Sequence, residues 1–152
     1  MEGNTFNSIF VHAHSGLRWI VLLLVVYAII NAAKSMNSGQ YTKKDKMINL
    51  FAMISLHMQF LLGLILMFLS SKVTFASDRI MLMPYRFFNI EHLFGMLLAI
   101  VLITIGRKKA ETKLKGSRDK HRRIMITYSI GLLIILAMIP WPFREALGGA
   151  WF

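Results

Sequence analysis

Met47–Ser71 reads MINLFAMISLHMQFLLGLILMFLSS, 25 consecutive positions without a charged side chain. A helix needs about 20 apolar residues to cross the hydrocarbon core of a bilayer, so this segment alone places the chain in a membrane. Ile124–Phe143 is a second charge-free run, 20 residues long. Trp19–Ala33 and His92–Gly106 are shorter, and reach spanning length once the uncharged residues beside Arg18 and Glu91 are added. The sequence therefore predicts four transmembrane helices, roughly 9–34, 46–71, 87–106 and 122–141. Connections of roughly 11 to 15 residues join them, as in an up-down-up-down bundle. The expected fold is all-α: one transmembrane domain over 1–152, an integral membrane four-helix bundle.

The composition agrees. Of the 152 residues 56% are hydrophobic and only 16% charged, against roughly 25% charged in a soluble domain. The net charge of +11 invites a nucleic-acid reading, but its distribution argues against one. Thirteen of the 18 basic residues fall in the first connection (Lys34 to Lys46) and the third (Arg107 to Arg123). Only Arg18, Lys72, Arg79, Arg86 and Arg144 lie on the other side. The positive-inside rule reads this as two cytoplasmic loops with both termini outside, and the basic loops also attract anionic lipid. The amino terminus, Met1-Glu2-Gly3-Asn4-Thr5, lacks the basic region of a signal peptide, so the first helix is expected to be retained. With no cysteine in the chain, thiols say nothing about compartment.

Helix-breaking and helix-packing signals refine the picture. Pro140-Trp141-Pro142 stops the fourth helix. Gly95 and Ala99 form a small-xxx-small spacing that lets a neighbouring helix approach closely. Trp19, Trp141 and Trp151 fall on the outer side, where an aromatic belt belongs. The second connection, Lys72 to Phe88, is too apolar for a freely solvated loop and reads as an interfacial cap.

Function is carried by five histidines. His12, His14, His57 and His92 lie in or beside apolar segments, and His121 sits just outside one. An ionisable group at membrane depth is costly, faces the bundle interior and marks a functional site. Without cysteine, imidazole is the strongest ligand this chain offers a metal or haem iron. Depth sorts the candidates, because a helix rises ~1.5 Å per residue. His14 comes out ~11 Å and His92 ~7 Å to the outer side of their span centres, a difference of only ~4 Å. His57 lies ~3 Å and His121 ~19 Å inward. His57 and His121 thus match poorly, and His57 with His92 would need a strongly tilted macrocycle. His14 and Arg18 are four residues apart and share a face, so Arg18 could meet a haem propionate, a quinone oxygen or a lipid phosphate. Glu91 is expected to pair with Arg18 or to accept a proton. His12 reads as an interfacial histidine, His121 as part of the basic loop, and the eleven methionines as core filler.

The segments His12-Ala13-His14-Ser15-Gly16-Leu17-Arg18-Trp19, His57-Met58-Gln59, Glu91-His92 and Pro140-Trp141-Pro142-Phe143-Arg144 resemble those of small four-span membrane proteins of the Bacteroidota often labelled "cytochrome b-like". The resemblance runs over almost the whole chain. It implies haem b with His14 and His92 as ligands and His57 as the other in-membrane histidine. The expected location is the bacterial inner membrane, with both termini periplasmic by the basic-residue asymmetry. Two functions follow as expectations. The first is a haem b protein passing electrons near the outer face, with a quinone as exchange partner. The alternative is a cofactor-free accessory subunit of a larger membrane complex, using Gly95, Ala99 and the second connection as contact surfaces. A proton or ion carrier built on His57, Gln59 and Glu91 is a third reading.

Overall fold

A computed structural model describes residues 2–149 and 151. Among them are four long helices and no strand: α1 Glu2–Ser35, α2 Lys43–Leu69, α3 His92–Thr112 and α4 Ser117–Met138. All four are long and apolar enough to cross a membrane, and together they make an up-down-up-down bundle. The amino-terminal half of α1 and the end of α4 share one end of the bundle, here the histidine end. The 36–42 and 113–116 connections lie at the opposite, basic end.

Each helix stops or starts for a local reason. Thr42 opens α2 with a capping box: its hydroxyl accepts from the Asp45 backbone, and the Asp45 carboxylate accepts from the Thr42 N–H. The same carboxylate takes a hydrogen bond from Asn31 Nδ2 at 2.7 Å, clamping α2 to α1. The fourth helix ends at Met138, three residues before the expected limit, because Pro140 drives Ile139 into extended backbone (φ −70°, ψ 130°). The third connection is four residues, 113–116, instead of the fifteen expected. The third helix runs on through Arg107–Thr112 and the fourth starts at Ser117. Lysine and arginine are good helix formers, and cations near a helix carboxyl terminus are favourable. A charge-free window marks the membrane, not the helix.

The third and fourth helices make the most extensive contact, and α2 with α3 the sparsest of the neighbouring pairs. Small residues set the α3–α4 approach. A Cβ at Gly106 would collide with the Thr127 hydroxyl and lie 2.6 Å from its Cβ. One at Gly131 would sit 2.8 Å from Ile103 Cδ1, and Ala99 is fully buried. The Gly95/Ala99 spacing is therefore used inside the chain, by α4. Leu56, Ile103, Ile124 and Tyr128 form the fully buried centre. Outward-facing residues such as Leu23, Phe94 and Leu133 are more than 60% exposed, as lipid-facing side chains are.

Candidate functional site

At the histidine end, α1 and α3 bring His14 and His92 together, with ring centroids 6.5 Å apart and planes at 65°. His92 is the first residue of α3, directly after a π-helical turn, Phe87–Glu91; such turns recur at functional sites. Its Nδ1 lies 2.7 Å from the Met138 carbonyl. A carbonyl only accepts, so Nδ1 carries the proton and Nε2 of the neutral ring keeps a lone pair. Met138 is the last residue of α4, where backbone carbonyls lack helical partners. Helix termination in α4 thus supplies the acceptor that orients His92. Gly95 makes room for this, since a Cβ there would sit 2.5 Å from Met138 Cγ and Sδ.

His14 is held from α2. Gln59 Nε2 donates to the His14 carbonyl at 2.8 Å, and the imidazole lies on Gly63, whose Cβ would come within 3.2 Å of Cε1 and 3.8 Å of Nδ1. Nδ1 is buried without a hydrogen-bond partner. The Gln59 side-chain oxygen is buried and unpartnered as well. Both rings line a cavity of about 220 Å³, walled mainly by apolar side chains such as Phe60, Leu64, Leu93 and Met96.

The chain beyond α4 folds back across the mouth. Arg18 Nη2 donates to the Trp151 carbonyl at 2.7 Å and Trp19 Nε1 to the same oxygen at 3.2 Å. Lys72 Nζ donates to the Gly148 carbonyl. A Cβ at Gly149 would collide with the Pro140 carbonyl, so only glycine permits this return. Trp19, Trp141 and Trp151 cluster with centroids 6.0–6.3 Å apart.

The other histidines stand elsewhere. His57 Nδ1 donates to the Met53 carbonyl of its own helix at 2.8 Å, and Nε2 lies 3.4 Å from the Thr104 hydroxyl. Thr104 is twelve residues past His92, ~18 Å along α3, so His57 belongs to a different level. His12 is exposed. His121, expected in a basic loop, is fully buried inside α4, its Nε2 2.9 Å from the Gln40 carbonyl and its ring 5.0 Å from Tyr41. Glu91, expected to meet Arg18, instead pairs with Arg86 at 2.8 Å.

Sequence reading missed a second polar cluster, at the basic end. Tyr41 donates to Glu111 at 2.7 Å and accepts from Asn49 Nδ2 at 3.0 Å, while Tyr128 donates to the Asn49 carbonyl at 2.7 Å. Burial, and then the Glu111 carboxylate, push the Tyr41 hydroxyl well above the usual tyrosine range. The available signal was the Thr42/Asp45 capping box, which fixes where α2 begins. No protein-family model, curated protein or solved structure matches this chain.

Proposed function

We propose that the chain is a haem b-binding membrane protein that transfers electrons near the membrane face opposite its basic loops. The observation that carries the reading is the His14–His92 pair across an apolar cavity. The two rings stand 6.5 Å apart between centres and both line the cavity, so His14 and His92 would be the residues to hold a metal there. Among the described residues no group of three or more metal-ligating side chains occurs. Two histidines are too few for a metal held by protein alone, but they would suit a haem iron. The group, when bound, supplies one-electron chemistry at the iron.

The chain's own residues do the rest. His14 and His92 would hold the iron, and the Met138 carbonyl fixes the tautomer and orientation of His92, as outer partners of metal-bound histidines do. Gly63 and Gln59 seat His14, and the apolar walls exclude water. Arg18 and Lys72 put positive charge at the mouth, where an anionic edge such as a propionate would be held. A quinone is the exchange partner this reading favours. The host membrane is the bacterial inner membrane with both termini periplasmic, which the basic-residue asymmetry supports. Of the two contact surfaces of the accessory-subunit alternative, Gly95/Ala99 is covered by α4, while Phe75, Met81 and Leu82 of the second connection are exposed.

Dithionite-reduced absorption spectra test the proposal. The purified protein should show a sharp low-spin band, lost or broadened by His14→Ala and by His92→Ala and kept by His12→Ala and His121→Ala. Loss with His57→Ala alone would move the ligand to the other level and refute the assignment.

A further inference from the structure

The outward face of α4 carries a succession of groups that the bundle does not use. Asp119, Arg122, Arg123, Ile126, Ile130 and Leu133 recur at three- and four-residue spacing and so share one face. The opposite face, with His121, Ile124, Tyr128, Gly131 and Ile135, is the buried one. Leu114, in the 113–116 turn, closes one side of a shallow depression of about 170 Å³. Its other walls are Asp119, Arg122, Arg123 and Ile126. Among the described residues no ion pair engages Asp119, Arg122 or Arg123. Beyond the arginines the face is apolar and open: Ile126, Ile130 and Leu133 are 41%, 45% and 67% exposed.

We propose that this face binds an aminophospholipid of the phosphatidylethanolamine class. Arg122 and Arg123 hold the phosphate, Asp119 takes the ammonium, and an acyl chain lies along Ile126, Ile130 and Leu133. The charges come in matching order. From its chains outward along the headgroup such a lipid carries a phosphate and then an ammonium at the tip. The helix presents apolar side chains, then two guanidinium groups, then a carboxylate ~5 Å further out by helical rise. Guanidinium matches phosphate geometry, and basic pockets at the ends of membrane helices take lipid headgroups. A phosphatidylglycerol would satisfy the arginines but set its uncharged glycerol against Asp119. A phosphatidylcholine offers Asp119 no N–H. The inference is independent of the cavity at the histidine end.

Native mass spectrometry of the full chain tests it, with equimolar phosphatidylethanolamine, phosphatidylglycerol and phosphatidylcholine of matched chains in mixed micelles. Wild-type protein should retain the ethanolamine lipid roughly fivefold over the choline lipid, the scale of the one hydrogen bond that choline cannot give Asp119. Asp119→Asn should erase that preference. A combined Arg122→Gln and Arg123→Gln variant should lower retention of both ethanolamine and glycerol lipids. All these side chains line an open face, and unchanged helical circular dichroism and melting check that the variants fold. Equal retention of the three lipids, unmoved by the substitutions, would overturn the site in favour of non-specific annular lipid. Preference for the glycerol lipid, strengthened by Asp119→Asn, would overturn it in favour of a plain anion site. Displacement of bound lipid by an equal concentration of free phosphoethanolamine would assign the pocket to a soluble headgroup ligand and overturn the lipid assignment.

Discussion

Gly106→Ala tests the α3–α4 contact on which the bundle depends. The new methyl would collide with the Thr127 hydroxyl and lie 2.6 Å from Thr127 Cβ and 2.8 Å from its Cγ2. Thr127 cannot simply turn away, because its hydroxyl donates to the Arg123 carbonyl at 2.9 Å and both γ positions face α3. Overpacking of this kind costs about 1–3 kcal/mol, and three contacts on a β-branched side chain place this site at the upper end. Against that stands the gain of about 1 kcal/mol from replacing glycine by alanine in a helix. The net expectation is a loss of about 2 kcal/mol. Unfolding by added sodium dodecyl sulfate in mixed micelles, followed by circular dichroism, measures it. Gly16→Ala is the control: it is also helical, has open space where the methyl would go, and should be neutral or stabilising. Adding Thr127→Ala to Gly106→Ala removes two of the three contacts and should recover about half of the loss. A Gly106→Ala protein as stable as wild type would refute the glycine-set approach.

Other substitutions probe the basic end and the site. Tyr41 has a raised hydroxyl pKa in the folded chain, so its contribution is fully present below the unfolded value of about 10 and is lost as pH rises above it; Tyr41→Phe should flatten the alkaline part of a stability-versus-pH curve. Asp45→Ala removes the α2 capping box and strands Asn31 Nδ2, which should cost about 2 kcal/mol in the same dodecyl sulfate assay. Gly63→Leu should push His14 off its seat and abolish haem uptake while leaving helix content unchanged by circular dichroism.

The four spans were legible because lipid imposes a length and a charge rule that window counting reads directly. The histidine pair was legible through depth alone: His14 and His92 sit on different helices, but helical rise gives each a height. What could not be read depends on backbone geometry. Nothing in the residue types announces that the Met138 carbonyl meets His92, or that the tail returns to Arg18 through Gly149. A run of arginines beside His121 looks solvated in sequence, whereas helix phase turns Arg122 outward and His121 into the bundle. Glu91 went to Arg86 because the π-helical turn resets the helical phase just before His92.

Haem titration of the purified apo-protein in detergent, followed by absorbance, tests the His14–His92 site itself. Wild-type protein should take up haem to saturation at one per chain with a low-spin spectrum, and the combined His14→Ala and His92→Ala variant should show no saturable uptake. No uptake by folded wild-type protein, or undiminished uptake by that variant, would contradict it.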